Sequence, residues 1–228
     1  MKGTRKLCAT MMPSNIAQLE RMVDYATAKN ADFKELRLDR LSPSGMEKAP
    51  ERISNQMDKT VLTLRSQEEG GKYAGSDSEM KAILSKLAQY NPMLLDIEYR
   101  FAFRNKNFVK KLRENDVRMI VSYHNFETTP SRRVLRDLLE EMNKIGDVVK
   151  IVTMAQEPID NFRIFGLYES NPTRKDILAF AMGDYGMLSR ILSITHYNAP
   201  FAYCSLGKPI APGMMSIERM KKVLSATP

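Results

Sequence analysis

The sequence predicts a (β/α)8 TIM barrel of the α/β class, a single domain that spans residues 1–228. Apolar runs rich in β-branched residues alternate with amphipathic segments along the whole chain, and no linker or low-complexity stretch interrupts them. Strict alternation of strand and helix implies a parallel sheet, and eight such units imply closure into a barrel. An open, doubly wound sheet is the alternative, but no glycine-rich phosphate loop follows the first apolar run.

The apolar runs are the predicted strands, which cover residues 7–12, 33–39, 60–65, 93–99, 118–124, 147–154, 176–182 and 201–205. Between them, apolar residues recur every three to four positions, as on one face of a helix. The predicted helices cover residues 15–30, 47–57, 77–90, 107–115, 130–145, 158–169, 187–192 and 216–224. Asp77 is the predicted N-cap of the third helix, and Gly146 ends the fifth.

Composition is that of an ordinary globular protein, with 43% hydrophobic and 27% charged residues. No apolar run approaches the roughly 18 residues that a membrane span needs. The N-terminus is basic, but the apolar segment of a signal peptide does not follow it. We therefore expect a cytoplasmic protein without a membrane partner.

The net charge of +8 raises the question of nucleic-acid binding. The basic residues are dispersed over segments such as 106–113 and 131–136, whose apolar spacing indicates helices packed on a core. No helix-turn-helix, zinc-finger or RNP-like pattern is present. We expect no nucleic-acid partner, and a positive field would also favour a small anionic substrate.

The two cysteines, Cys8 and Cys204, fit neither a metal spacing nor a disulfide framework. We expect both to be buried and reduced. The first and last strands of a closed barrel are neighbours, so the two thiols should lie near each other. No other part of the sequence has the spacing of a metal site.

Lys150 lies in the middle of the sixth apolar run. A buried ammonium is costly, so such a group either finds a partner or loses its proton. A lysine that is neutral part of the time is a nucleophile, and its usual chemistry is a Schiff base with a ketone or aldehyde. The alternative is a lysine near a strand end whose amine reaches water.

Other charged residues fall at the carboxyl ends of the predicted strands, where barrel enzymes place their active sites. Glu35, Arg37 and Asp39 alternate along the second strand and therefore share one face. Arg65 ends the third strand, and Glu69 follows it in a glycine-containing loop. Glu35, Arg37 and Asp39 would form a mutually paired acid–base network that lines the barrel mouth.

The fourth and fifth strands add further polar groups. Asp96 and Glu98 share one face of the fourth strand, and His124 ends the fifth. Chemistry between a lysine and a carbonyl needs a proton shuttle of near-neutral pKa, which His124 could supply from a strand next to that of Lys150. His196 lies beyond the helix after strand seven, away from the mouth, and is interpreted as structural.

Residues 182–190 follow the seventh strand, where barrels commonly bind anions. The glycines of this segment would expose N–H groups at a helix start, and Arg190 could clamp a carboxylate with two hydrogen bonds. The alternative for Arg190 is a position that faces solvent. Residues 209–213, rich in proline and glycine, predict a shaped loop, for which a lid is one role.

Taken in order, these segments resemble the type I 3-dehydroquinate dehydratases. The matching segments span nearly the whole chain, one at the end of almost every strand: residues 35–39, 63–65 with 68–71, 96–98, 122–126, 149–151, 182–183 with 189–190, and 211–213. Each motif is weak alone, and their shared order makes the resemblance specific.

The resemblance implies the dehydration of 3-dehydroquinate to 3-dehydroshikimate, a step of the shikimate pathway in aromatic amino-acid biosynthesis. It implies that Lys150 forms an imine with the substrate ketone, that His124 is the general base and acid, and that Glu69 orients His124. The implied substrate contacts are Glu35, Arg37 and Arg65 for the ring hydroxyls and Arg190 for the carboxylate. The family implies neither a metal nor a cofactor.

The last loop departs from the family pattern, which usually reads serine-alanine-proline-glycine-glutamine, with the serine and glutamine reaching the substrate. Ile210 and Met214 take those two places, and neither can donate a hydrogen bond to a carboxylate. Two lost donors at about 1 kcal/mol each would weaken binding roughly tenfold or more. Ser205, Lys208 or a backbone N–H could substitute, or the loop could be displaced.

Two other functions stay open from the sequence. One is another Schiff-base lyase or aldolase that acts on a small keto acid, since one fold hosts many chemistries. The other is a non-catalytic basic binding protein, which predicts affinity for nucleic acid that falls steeply with salt. The sequence leaves the oligomeric state open, and a homodimer is one option.

Overall fold

The computed structural model, which describes residues 5–171, 173 and 175–227, is a parallel eight-stranded barrel with helices around it. Its strands are β1 (Leu7–Met11), β2 (Phe33–Arg37), β3 (Thr60–Thr63), β4 (Leu94–Glu98), β5 (Met119–His124), β6 (Val148–Met154), β7 (Asp176–Met182) and β8 (Ala202–Ser205). Its α-helices are α1 (Ile16–Ala28), α2 (Pro43–Arg52), α3 (Asp77–Ala88), α4 (Tyr99–Arg104), α5 (Lys106–Glu114), α6 (Arg132–Asn143), α7 (Asp160–Glu169), α8 (Met187–Thr195) and α9 (Ile217–Ala226). The predicted fold class is confirmed.

Hydrogen bonds join the strands in the order β7-β6-β5-β4-β3-β2-β1-β8, with parallel pairing throughout. β1 pairs with β8, so the first and last strands are neighbours as predicted. β7 and β8 are the end strands of this order, and the loops that follow them meet where Gly183 N donates to Pro212 O (3.3 Å). All carboxyl ends therefore surround one nearly closed mouth.

The barrel interior has an apolar layer below a polar one. Val61, Leu94, Ile120 and Val148 belong to one buried apolar cluster. Two positions further along the same strands, on the same faces, lie the buried polar residues Thr63, Asp96, Ser122 and Lys150. The outward faces carry a second apolar layer that packs on the helices. The period of two along each strand thus places the polar groups at the mouth.

The second helix differs from the prediction. α2 begins at Pro43, with the hydroxyl of Ser42 accepting a hydrogen bond from Gly45 N (3.2 Å), and a 3₁₀ turn over Ser54–Lys59 follows it. The serine–proline pair is a helix start, because proline at the first helical position has no N–H to satisfy. The predicted range of 47–57 is therefore wrong at both ends.

Two further helix predictions need correction. The N-cap of α3 is Ser76 and not Asp77: Ser76 Oγ accepts from Glu79 N (3.3 Å), and the Glu79 carboxylate accepts from Ser76 N (2.7 Å). This reciprocal pair is a capping box. The single helix predicted between β4 and β5 is in fact two helices, α4 and α5, divided at Asn105. In the described part of the chain, no helix has the length and apolar character to cross a membrane.

The two cysteines lie where the sequence predicts. Cys8 and Cys204 are buried free thiols on the paired strands β1 and β8. Burial raises the pKa of both, to about 12 for Cys204, so the thiols stay protonated and unreactive at neutral pH.

Candidate active site

A cavity of about 320 Å³ opens at the carboxyl ends of the strands. Its lining includes every residue predicted to be catalytic or to bind substrate: Glu35, Arg37, Arg65, Glu69, His124, Lys150 and Arg190. These residues come from five different β–α units, so only folding brings them together. Their roles in chemistry stay predictions.

Lys150 points into this cavity from β6 and is buried. Its Nζ lies 3.8 Å from Glu35 Oε1, 3.9 Å from Asp96 Oδ2 and 4.2 Å from the centroid of the Tyr203 ring. Burial lowers the pKa of Lys150, and the two carboxylates oppose that shift. The amine does not reach bulk water, which argues against the alternative of a lysine solvated at a strand end.

His124 forms a close pair with a carboxylate. Its Nδ1 lies 2.8 Å from Glu69 Oε2. Burial lowers the pKa of His124 well below its ordinary value, and the positive charges of Arg65 and Lys150 lower it further. The imidazole is therefore neutral at neutral pH, the form that a general base requires.

Glu69 lies in a buried 3₁₀ turn, Gln67–Glu69, after β3. Besides His124, it contacts Arg65 Nη1 and Arg100 Nη1, each at 3.4 Å. Burial raises the pKa of Glu69 to about 8, although Arg65 and Arg100 favour the ionised form. Above that pH the ionised Glu69 accepts a hydrogen bond from Nδ1 of His124, which leaves the lone pair of Nε2 available to the cavity.

Arg65 joins three strands through buried hydrogen bonds. Its Nη2 donates to both carboxylate oxygens of Asp96 (2.9 Å each), and its Nη1 donates to Ser122 Oγ (2.9 Å) and Glu98 Oε1 (3.2 Å). Burial alone would lower the pKa of Arg65, but these carboxylates hold it above its ordinary value. Both terminal nitrogens thus bind protein groups, so the geometry supports a positioning role beside the predicted substrate contact.

The three charged residues predicted to share one face of the second strand all line the cavity, but Asp39 lies in the turn that follows β2. Arg37 donates from Nε and Nη2 to the two oxygens of Asp39 (2.7 and 3.0 Å), and both residues line the cavity. Glu35 accepts from Thr63 Oγ1 (3.0 Å) on β3. The bidentate pair keeps the Arg37 guanidinium at the rim.

Arg190 projects from the second turn of α8 into the cavity and is buried. Its guanidinium lies 4.3 Å from the ring centroid of Phe180, and its Nη2 donates to Pro212 O (3.2 Å). Within the described part of the chain, Nε has no hydrogen-bond partner, and burial lowers the pKa of Arg190 to about 10. A buried cation with a free donor suits an anionic ligand, and the alternative of a solvent-facing arginine is wrong.

The glycines before α8 do not serve the predicted purpose. Gly183, with a φ of 81°, donates its N–H to Pro212 O, and Gly186 N donates to Gly183 O (3.1 Å). These amides are occupied by backbone oxygens, so the expectation that they would bind an anion is wrong. Instead, these backbone hydrogen bonds shape the loop after β7 and connect it to the segment after β8.

The segment after β8 lies over the cavity. Ile210, Ala211 and Met214 line it, whereas Ser205 and Lys208 do not. Ser205 Oγ instead donates to Gly207 O (3.0 Å). The loop is therefore not displaced, and apolar side chains occupy the two positions at which the sequence differs from the family pattern. Neither Ser205 nor Lys208 substitutes for the missing donors.

Sequence reasoning missed several cavity residues: Thr10, Met12, Lys72, Phe126, Phe180 and Tyr203. Tyr203 could have been found from the alternation along β8, because it follows the buried Phe201 by two positions. Arg100 carries no such signal, since its contact with Glu69 depends on how α4 packs above β4. In the described residues, no group of three or more His, Cys, Asp or Glu side chains is placed to bind a metal ion.

A parallel barrel whose mouth holds a buried lysine beside a histidine–glutamate pair is the architecture of an enzyme that acts on carbonyl compounds. Comparison with known proteins identifies the family. A model of the type I 3-dehydroquinase family matches residues 7–227. The chain belongs to this family.

Individual relatives agree with this assignment. The 3-dehydroquinate dehydratase of Pyrococcus abyssi is 35% identical over 207 residues, which is 90% of this chain and 92% of the relative. The crystal structure of the Aquifex aeolicus 3-dehydroquinate dehydratase superposes with a TM-score of 0.79 at 28% identity, over 97% of this chain and 98% of that one. The Geobacillus kaustophilus 3-dehydroquinate dehydratase, at 20% identity, shares the fold with a TM-score of 0.87, over 98% of this chain and 91% of that one.

We predict that Arg65→Met destabilises the protein by about 3–5 kcal/mol, because it leaves Asp96, Glu98 and Glu69 buried without their cation. The control Arg104→Met removes an exposed arginine that pairs with Asp77 and Glu68, and should cost less than about 1 kcal/mol. Urea denaturation monitored by circular dichroism measures both.

The deficit of Arg65→Met should grow with pH. The folded-state pKa of Glu69, about 8, already lies above the ordinary carboxyl value, and loss of Arg65 raises it further. In the unchanged protein the folded state already binds more protons than the unfolded state up to about pH 8, so the extra loss of stability in Arg65→Met begins at about pH 8, where only the folded variant still holds the proton. Equal deficits at about pH 5 and about pH 9 would contradict this account of the network.

Proposed function

We propose that the chain dehydrates 3-dehydroquinate to 3-dehydroshikimate and water, with Lys150 as the nucleophile. As a type I 3-dehydroquinase, it acts through a lysine Schiff base in the shikimate pathway. The observation that carries the residue assignment is the buried amine of Lys150, whose pKa burial lowers, in the same cavity as the His124–Glu69 pair. The cavity thus supplies a nucleophile and a base that one ketone can reach.

The first steps make the substrate acidic. The neutral amine of Lys150 attacks the C3 ketone, and the carbinolamine takes up one proton and loses water to give a protonated imine. This imine withdraws electrons from C2, so the adjacent C–H bond becomes acidic. Glu35 and Asp96, at 3.8 and 3.9 Å from Nζ, offset the positive charge that the nitrogen carries in the protonated imine, before the C2 proton leaves and again after the C1 hydroxyl has left.

His124 carries the protons. Its Nε2 takes the C2 proton while Nδ1 remains bonded to Glu69. The imidazolium then returns a proton to the C1 hydroxyl, which leaves as water and creates the conjugated double bond. A second water hydrolyses the imine and frees Lys150 for the next cycle. Glu69 fixes the tautomer and stabilises the transient imidazolium.

The remaining charged residues hold the substrate. Arg190 binds the carboxylate, because its Nε is buried without a partner among the described residues and its guanidinium faces the cavity. Glu35 and Arg37 contact the ring hydroxyls, and Arg65 contacts them while it positions Glu69. Substrate specificity thus follows from charges at both ends of one cavity.

A second candidate is another Schiff-base lyase for a small keto acid, which the apolar residues Ile210 and Met214 favour. Turnover of 3-dehydroquinate compared with small aldol substrates separates the two. We also infer a cytoplasmic location, no nucleic-acid partner and, as one option, a homodimer. The third function, a non-catalytic basic binding protein, does not account for the buried lysine–histidine site.

We predict that Lys150→Ala abolishes the adduct that borohydride traps in the presence of 3-dehydroquinate, because among the described residues that line the cavity the other lysine, Lys72, is exposed. Intact mass spectrometry and peptide mapping detect the adduct on Lys150 in the unchanged protein. Lys72→Ala, which removes the exposed cavity lysine, is the matched control and should keep the adduct. An adduct that still forms in Lys150→Ala would contradict the assignment of Lys150 as the nucleophile.

His124→Ala should lower kcat by about 10²–10⁴-fold, the usual contribution of a positioned base, with a smaller change in KM. The formation of the conjugated enone, followed by ultraviolet absorbance, measures both constants. His196→Ala removes the other histidine, which packs on Tyr197 outside the cavity, and should leave kcat unchanged. Full activity of His124→Ala would remove the residue from the mechanism.

The double variant Ile210→Ser with Met214→Gln should lower KM about thirtyfold, since each restored donor contributes about 1 kcal/mol to binding and the two together about 2 kcal/mol. Both side chains already line the cavity, so the new groups need no movement of the loop to reach the substrate. Met12→Gln places an amide in the same cavity from the position directly after β1 and controls for polarity alone. An unchanged KM in the double variant would show that other groups now hold the carboxylate.

A further inference from the structure

Tyr203 is a buried aromatic side chain of β8 that lines the cavity beside Lys150. The Lys150 Nζ lies 4.2 Å from the centroid of its ring, well inside the distance of about 6 Å at which a cation and a ring face attract each other. This attraction is strongest where water is excluded, and both side chains are buried. The ring is therefore a direct neighbour of the reacting nitrogen.

The carboxylate oxygens near Nζ lie farther from it than in a hydrogen-bonded ion pair. Glu35 Oε1 and Asp96 Oδ2 lie at 3.8 and 3.9 Å, whereas a charge-assisted hydrogen bond spans about 2.7–2.9 Å. Neither oxygen thus accepts a strong hydrogen bond from the amine. The nitrogen is oriented by charges and a ring face that surround it at about the same distance, and none of them uses its lone pair.

We propose that Tyr203 is a positioning residue for the imine step, whose ring face orients the nitrogen of Lys150 and stabilises the protonated imine that forms there. The inference rests on the proposed function, because it needs the imine on Lys150. In that step the amine and the ketone consume one proton and release one water, and the positive charge stays on the nitrogen. That nitrogen occupies the position over the ring where Nζ now lies.

The ring is held by its own neighbours rather than by Lys150. Phe201 contacts it edge to face, with centroids 5.3 Å apart, and the backbone of Tyr203 pairs with Cys8 on β1. A ring fixed in this way keeps its face towards Nζ before substrate arrives. Preorganised stabilisation of a developing charge costs no reorganisation during the reaction.

The hydroxyl of Tyr203 supplies a competing explanation. It is buried without a hydrogen-bond partner among the described residues, so it could instead donate to the substrate. Burial and the nearby Glu35 raise its pKa well above the ordinary value, which keeps it protonated. The two explanations differ in which atoms matter, so removal of the hydroxyl alone tells them apart.

The test begins with the unchanged protein, in which borohydride must trap the imine on Lys150; failure at this stage overturns the proposed function and the inference with it. Tyr203→Phe then removes the hydroxyl and keeps the ring, and should retain kcat within about threefold. In that background, phenylalanine analogues with one, two and three ring fluorines are placed at position 203. Fluorine weakens the attraction of the ring face for a cation with little change of shape.

We expect kcat to fall stepwise with each fluorine, about fivefold to tenfold over the series, together with the rate of adduct formation and with a smaller change in KM. The same analogues at Phe165, a buried ring of α7 that packs on Phe162 and Tyr197, control for fluorination alone and should leave kcat unchanged. Equal thermal unfolding midpoints across the series establish that packing is preserved.

Either of two results overturns the proposal. A kcat that does not change along the fluorine series would show that the ring face does not stabilise the imine. A large loss of kcat in Tyr203→Phe itself, with the adduct on Lys150 still formed in the unchanged protein, would assign the effect to the hydroxyl. In both cases the proposed dehydration on Lys150 would stand, so the two failures are distinguishable.

Discussion

The cavity depends on the hydrogen bonds and ion pairs that the buried guanidinium of Arg65 makes. The guanidinium bonds Asp96 and Glu98 on β4, Ser122 on β5 and Glu69 in the turn after β3. A charge removed from water needs such partners, and carboxylates buried at the mouth need the cation in return. Because the partners come from neighbouring strands, the network also fixes the side chains that face Lys150 and His124.

Burial has the same effect on the two groups that carry the proposed chemistry, and their neighbours make them differ. It lowers the pKa of both Lys150 and His124, which favours a neutral nucleophile and a neutral base in the same cavity. Their neighbours then divide the roles. Lys150 has two carboxylates at nearly 4 Å that tolerate a positive imine, whereas His124 has Glu69 at hydrogen-bond distance to fix its tautomer.

The opposite end of the cavity carries the group that we propose binds the substrate carboxylate. Arg190 lies against the ring of Phe180, and the loop that covers it contributes Ile210 and Met214 where the family pattern has hydrogen-bond donors. Apolar walls weaken solvent screening, so a single guanidinium attracts a carboxylate more strongly there than it would in water. A backbone hydrogen bond from Gly183 N to Pro212 O keeps this wall in place.

Local pattern alone determined the barrel and the face on which each polar group lies. The period of two placed Glu35, Arg37 and Asp39 together and put Lys150 inside, because side chains on a strand alternate whatever the rest of the chain does. Ordered motifs then identified the family. Only the tertiary structure decided which partner each charge takes: Arg65 engages Asp96, Arg100 reaches Glu69, and the glycine amides before α8 bond to backbone oxygens. Those choices depend on strand register and on helix packing between segments far apart in sequence, which no local pattern encodes.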